Sequence, residues 1–251
     1  MQIAGIHRYP VKSLAGEGLD AVALAPDRGL LNDRRYAFVP AQPGAPAPAP
    51  GWRPKSRCVA LVRYTAPARL AARYDDASGM LALSAGGREI ARGCPENPAD
   101  RAKLEAAAAT ELAAEVGSGV ALAAAGAGAM LTDVDAPYVS LVNLASVAAL
   151  AAALGVKLDP LRFRANFYFA GAPAWAERSW AGREAALGGA RLEFAEPIRR
   201  CAAIEVDPAT ATRGLPLLRE LTDRFGHVEM GIYAEVRSGG TAARGDILEI
   251  G

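Results

Sequence analysis

The chain has 251 residues, 51% hydrophobic and 22% charged, with 28 Lys and Arg against 27 Asp and Glu. That length and apolar content support a full core without disulfide staples and exclude bulk disorder. A net charge of +1 provides neither the basic field that nucleic-acid binding needs nor an acidic one for cations, so no nucleic-acid partner is expected. The N-terminus lacks a secretion signal, and the most membrane-like stretch, residues 138–156, carries Ser140, Asn143 and Ser146 and reads as a buried helix rather than a span. Three cysteines, Cys58, Cys94 and Cys201, are too few and too far apart for a disulfide framework, and no CxxC pair is present. These features predict a reduced, cytoplasmic protein.

In chain order, residues 2–9 begin a strand that the turn at Pro10 interrupts. Residues 19–25 alternate towards the turn residues Pro26-Asp27-Arg28-Gly29, and 35–39 form a short β-prone run. Residues 40–51, rich in Pro and Ala, read as an extended solvated loop. Further strands are expected at 59–65, 69–74 and 80–83, the last two joined by a turn over 75–79. Asn97 and Pro98 then open a helix, as cap and first residue, with Leu104, Ala107, Ala108, Leu112 and Val116 on its apolar face and Gly117 as its stop. Residues 120–125 resume a strand, a Gly/Ala stretch runs to 131, and a second helix spans 145–154. The aromatic run within 162–169, then 192–195, 202–206, 231–236 and 247–250, are strand-like, with a short helix near 215–222. The fold class is β-dominated α+β, built on barrels with a few helices.

Ordinary catalytic signatures are absent. His7 and His227 belong to no ligand motif, and there is no nucleophile elbow, Walker loop or dinucleotide fingerprint. Anion-binding residues stand out instead. In Pro10-Val11-Lys12-Ser13-Leu14 a lysine adjoins a hydroxyl at a turn; Lys12 offers charge and Ser13 a hydrogen bond to phosphate oxygens, unless the turn is simply exposed. Arg34 and Arg35 precede a strand, where Arg suits bidentate phosphate contacts or a surface pair with Asp33. Arg162, Arg164 and Asn166 alternate at strand spacing and would share one face, either solvent or a polar pocket. Arg199 and Arg200 adjoin Cys201, and cations beside a thiol favour the thiolate, the nucleophile and soft-metal ligand; an inert buried cysteine is the alternative, and the reading for Cys58 and Cys94.

Six segments in order resemble the MOSC superfamily, within it the branch with an N-terminal β-barrel extension. They are Tyr9-Pro10-Val11-Lys12-Ser13-Leu14; residues 29–36; Phe163-Arg164-Ala165-Asn166; Trp175 with 177–180; Arg200-Cys201 with Val206-Asp207-Pro208; and residues 239–246. That branch includes the mitochondrial amidoxime-reducing component and bacterial relatives. The resemblance implies an N-terminal barrel-like domain over 1–95 packed on a MOSC-type β-barrel domain over 96–251, the latter with a helical segment at 98–116. It implies a molybdenum–molybdopterin cofactor between them, with Cys201 as the metal ligand. Lys12, Ser13 and Arg34 match contacts to the pterin and its phosphate, Arg164 and Asn166 the family's Arg-x-Asn pair. Arg199 and Arg200 match the two residues before the ligand cysteine, and Tyr233 a late cofactor contact. An aspartate near the metal is Asp133 or Asp135. The implied activity is reduction of N-oxygenated or S-oxygenated small molecules; a molybdenum-cofactor or sulfur carrier without its own turnover is the alternative. Two features depart from the family: Trp52-Arg53-Pro54-Lys55-Ser56-Arg57 replaces its usual Thr/Gln-x-Arg stretch, and no ferredoxin-like domain follows, so electrons are expected from a separate donor protein.

Overall fold

The computed structural model describes residues 1–42, 45–117, 119–126 and 129–251. Positions 43 and 44 of the expected Pro/Ala loop, and 118, 127 and 128 around the expected Gly/Ala stretch, lie outside them. Two cores organise the chain. The larger lies within an eight-stranded sheet ordered Leu248–Ile250, Glu184–Leu187, Ala190–Arg199, Glu229–Ser238, Val139–Asn143, Phe167–Ala170, Gln2–Arg8, Glu17–Leu19. Most neighbours are antiparallel, but Val139–Asn143 and Phe167–Ala170 run parallel. Parallel strands need a crossover, and here it contains the helix Leu144–Leu154. A three-stranded sheet, Gly240–Ala243, Ala21–Ala25, Gly29–Leu30, adds Val22, Leu24, Leu30 and Ala242 to a core with Ile3, Leu141, Phe167, Phe169 and Phe194.

The second core joins the antiparallel pair Tyr36–Ala41 and Gly119–Ala124 to the meander Leu70–Asp75, Met80–Ala85, Arg88–Gly93. The helix Pro98–Val116 lies against it, burying Leu104, Ala108 and Leu112 at a four-residue spacing. Its start is as the sequence predicts: the Asn97 side chain accepts from the Ala99 and Asp100 amides at 2.9 and 3.2 Å, with Pro98 at the first position. Such a cap stabilises by about 1 kcal/mol. Its end at Gly117, φ 70°, is the left-handed cap that glycine favours. A third core under Leu144–Leu154 and Leu217–Phe225 includes Val147, Leu150, Phe163, Leu217 and Leu221.

The expected β-dominated class is observed, with three α-helices among the described residues. Two expected strands are not, and a third starts late. Residues 59–65 turn instead: the Ala60 carbonyl accepts both the Arg63 and Tyr64 amides at 2.9 Å. Residues 202–206 hold a short 3-10 helix, Ala202–Glu205. Residues 160–163 are another, opened by the Asp159 side chain accepting from the Leu161 amide, and the aromatic strand starts only at Phe167.

Candidate functional site

The unusual anion-binding segments converge on one cleft, to which both main cores contribute. Lys12 follows the first strand. Its amide donates to the Tyr36 carbonyl at 2.8 Å and the Tyr36 amide to Pro10 at 3.0 Å, a two-way tie that turns the lysine inward. Lys12 is therefore not the exposed turn residue the sequence allowed, being only 7% exposed. Its Nζ donates to the Leu131 carbonyl and to Asp133 Oδ1, each at 2.8 Å. Ser13 beside it is buried at φ 73°, and its Oγ accepts from the Leu61 amide rather than standing free.

Asp133 is held a second time, by Lys55 Nζ at 3.0 Å from Oδ2. Burial opposes ionisation of this carboxyl, but the two lysines outweigh it and keep its pKa below the ordinary carboxylate value. Burial likewise lowers the Lys12 pKa, with Asp133 only partly restoring it. For Lys55 the balance is reversed: burial works against the ammonium, yet Asp133 and then Cys201 raise its pKa. Of the two aspartates left open by sequence, Asp133 lines the cleft and Asp135 does not.

The guanidinium groups are arranged around Tyr9. Arg34 hydrogen-bonds the buried Asp33 and, at 2.7 Å, the Arg164 carbonyl. Its CZ lies 5.0 Å from the Tyr9 ring centre and that of Arg164 4.4 Å. Both backbones sit at positive φ, 46° and 50°, so with Ser13 three non-glycine residues of this cleft are strained. Arg164 Nη2 is buried without a hydrogen-bond partner, and desolvation first, then Tyr9 and Arg34, act on its charge with a net lowering of its pKa. Arg200 donates to the Met230 and Phe163 carbonyls, each at 2.8 Å. Its route requires Gly231: a Cβ there would meet the Leu141 carbonyl at 2.3 Å and Arg200 Nη2 at 3.2 Å.

Arg199 ends the strand Ala190–Arg199 at the cleft wall, and half-buried Cys201 follows on the same wall. Tyr233 also lines the cleft, from the strand paired with Ala190–Arg199, with its ring 5.8 Å from that of Tyr138, and burial pushes its hydroxyl pKa up. The expected common face of Arg162, Arg164 and Asn166 does not form, because the 3-10 turn separates them. Arg162 bonds Asp207, and Asn166 is fully buried away from the cleft lining. Asn166 Oδ1 accepts from the Ser140 amide and hydroxyl at 3.0 and 2.9 Å while its Nδ2 donates to the His7 carbonyl at 3.2 Å, a latch between strands.

Sequence reasoning missed Lys55, Tyr9 and Tyr138. One signal was present: lysine is scarce here, four among 28 cations, and two of the four meet at Asp133. Seven cations line the cleft (Lys12, Arg34, Lys55, Arg162, Arg164, Arg199, Arg200), against Asp133 alone. Even with Asp33 behind Arg34 and Asp207 behind Arg162, the surplus is four positive charges. A cleft of that charge, with an orphaned guanidinium nitrogen and a thiol, is suited to a polyanion that also carries a soft centre.

The family model described as the MOSC domain matches residues 131–249. Among solved structures, the chain is similar to YiiM from Geobacillus stearothermophilus at 16% identity and a TM-score of 0.36, over 45% of this chain and 53% of that one. It is also similar to the YuaD protein from Bacillus subtilis at 14% identity and a TM-score of 0.47, over 99% of this chain and 94% of that one. The chain thus spans about half the length of the first and nearly all of the second. No curated protein matches the sequence.

Proposed function

We propose that the chain, whose residues 131–249 match the MOSC domain, is a MOSC superfamily protein whose cleft binds molybdenum–molybdopterin and reduces N-oxygenated or S-oxygenated small molecules. MOSC domains are in general of the molybdenum-cofactor-binding type; the specific cofactor and reaction are our reading. The observation that carries it is the surplus of cations around Cys201, with Arg164 Nη2 buried and unpartnered. An unsatisfied buried donor costs about 1–3 kcal/mol, and an anionic phosphate oxygen removes that cost. The residues present fit the cofactor.

Arg34, Arg164 and Arg200 would hold the phosphate and pterin, and the Cys201 thiolate would ligate the metal. When bound, the cofactor supplies two-electron redox chemistry at the metal. The chain's own residues do the rest. Asp33 fixes the Arg34 fork, and the Tyr9 face takes part of the charge of Arg34 and Arg164. Lys12 and Lys55 keep Asp133 ionised in the cleft that the thiol also lines. Tyr138 and Tyr233, their rings tilted 36° to each other, would give the cleft an aromatic surface for substrate. Electrons are proposed to come from a separate donor protein. Among the described residues no helix is long and apolar enough to cross a membrane.

The test is metal analysis of protein produced in a host that makes the cofactor, followed by reduction of a hydroxylated amidine with an artificial electron donor. Stoichiometric molybdenum with turnover is expected. Molybdenum without turnover would make the chain a carrier, and no molybdenum would refute the reading.

A further inference from the structure

We infer that Arg213, which lies outside the cleft, is a positioning residue that clasps two of its walls together and sets their separation around Cys201. One wall is the turn at 60–62, the other the segment 201–204 that begins with the thiol. They come from distant parts of the chain, and Arg213 bonds both, reaching a residue 152 positions before it in Leu61. Its Nη1 donates to the Ala202 carbonyl at 2.5 Å and its Nη2 to the Leu61 carbonyl. Leu61 is held on its other side by its amide, which donates to Ser13 Oγ at 3.4 Å. A planar fork with fixed donors can bridge two carbonyls at once, which a single ammonium on a flexible stem does less well.

The base of the clasp is rigid. Asp207 Oδ1 accepts the Ala209 and Thr210 amides at 2.8 and 3.1 Å, and its backbone amide donates to the Thr212 carbonyl at 2.8 Å. The resulting loop is tight enough to hold Ala211 at φ 54°. Asp207 also bonds the cleft residue Arg162, and Val206 and Arg213 form a bridge across the loop's neck. The Arg213 backbone is therefore fixed to the Cys201 wall, and only its side chain reaches the 60–62 turn. That turn is closed by its own short-range bonds, from Arg63 and Tyr64 to Ala60. Without the clasp the turn keeps its shape and its ties to Ser13 and Phe38 but loses its bond to the Cys201 wall, so the cleft between the two walls can widen.

This inference rests on the reading of Cys201 as the functional thiol, but its test needs no loaded cofactor. The full chain is treated with iodoacetamide, and alkylation of each cysteine is followed by peptide mass spectrometry in wild type, Arg213→Ala and Arg213→Lys. Cys201 is expected to react about tenfold faster in Arg213→Ala, through the loss of the one charge-assisted bond that crosses to the Leu61 wall, and to an intermediate extent in Arg213→Lys. Cys58, buried beside the Val59–Phe38 backbone bond, is expected to stay protected and Cys94 unchanged. Should Arg213→Ala fail to fold, the Lys variant carries the comparison. An unchanged Cys201 rate in a folded variant overturns the inference, as does a parallel rise at all three cysteines, which marks general loosening. Absence of molybdenum from wild type would sink the proposed function and leave the alkylation contrast standing.

Discussion

Lys12→Met separates a buried site lysine from a solvated one. Lys12 is 7% exposed, and its Nζ makes two bonds of 2.8 Å, to the Leu131 carbonyl and to Asp133. A bond to a charged group contributes about 1.5–3 kcal/mol. Two effects reduce the loss. Asp133 keeps Lys55 at 3.0 Å, and its side chain is 38% exposed, so water replaces part of what the ammonium gave. Methionine, unlike an ammonium, enters a buried position without a desolvation cost. The Leu131 carbonyl is left without this donor. The balance is a destabilisation of about 1–2 kcal/mol, which for a chain of this size lowers Tm by about 2–8 °C. Affinity for pyrophosphate, measured by calorimetry on the full chain, falls about tenfold because one cation is gone while Asp133 remains. A double-mutant cycle with Asp133→Asn should return a coupling energy of about 1 kcal/mol. Wild-type Tm, wild-type pyrophosphate affinity and strict additivity together would refute the reasoning.

Cys201→Ser should abolish amidine reduction and alter the metal's absorption spectrum, while serine at 58 or 94 leaves both near wild type; a fully active Cys201→Ser protein removes the thiol from the mechanism. Arg164→Met should leave stability within about 1 kcal/mol of wild type, since a desolvated guanidinium without a partner for Nη2 is replaced by an apolar chain and only a cation–π contact is lost. The same change should lower pyrophosphate affinity at least as much as Lys12→Met, and a large fall in Tm with affinity intact would invert the assignment. Pieces 1–95 and 96–251, expressed separately, should bind no cofactor, because Gln2–Arg8 pairs with Phe167–Ala170 and Tyr36–Ala41 with Gly119–Ala124; cofactor retained by either piece would contradict this. Acid should act through Asp133: its folded pKa lies below the unfolded value, so its stabilisation is complete above about pH 5 and is lost as pH falls from there through the lower folded pKa. Asp133→Asn should therefore flatten the Tm-against-pH curve below pH about 4, and an unchanged slope there would assign acid lability to other groups.

Local signals made part of the fold legible. The helix Pro98–Val116 carries its cap, its proline, its Leu104-Ala108-Leu112 stripe and its terminal glycine within one window, so nothing distant is needed to read it. The misread strands share a cause. Residues 58–61 are all buried, and Ile204 and Val206 are buried either side of half-buried Glu205, so the first segment shows the apolar run and the second the alternation of a strand. Turns wrapped over a core bury alternate side chains too, and period alone does not separate the two. At 160–163 the decisive signal was Asp159-Pro160, a capping residue followed by proline, which outweighs the β preference of the aromatics after it. The sheet order was beyond reach for another reason: pairing between residues 2–8 and 167–170 depends on the packing of everything between them, and no local pattern encodes it.

The site divides along the same line. Lys12, Arg34, Arg164, Arg200 and Cys201 stand in short runs whose composition is unusual in place, so the sequence can mark them one at a time. Lys55 and Arg213 stand in runs that look like ordinary solvated loops, and they acquire meaning only from what the fold sets opposite them: Asp133 for Lys55, the Leu61 carbonyl for Arg213. The choice between Asp133 and Asp135 has the same character. Two residues apart in one irregular segment, they are equivalent as sequence, and only the convergence of Lys12 from one side and Lys55 from the other distinguishes them. A cation surplus is the property that survives this division. Cations that fold together without enough carboxylates repel one another, and burying them costs more still. A cleft that assembles seven around a thiol and leaves a guanidinium nitrogen unpartnered is therefore destabilised until an anion enters. On the proposed reading, the same residues that destabilise the cleft by themselves would supply its affinity for the anionic cofactor.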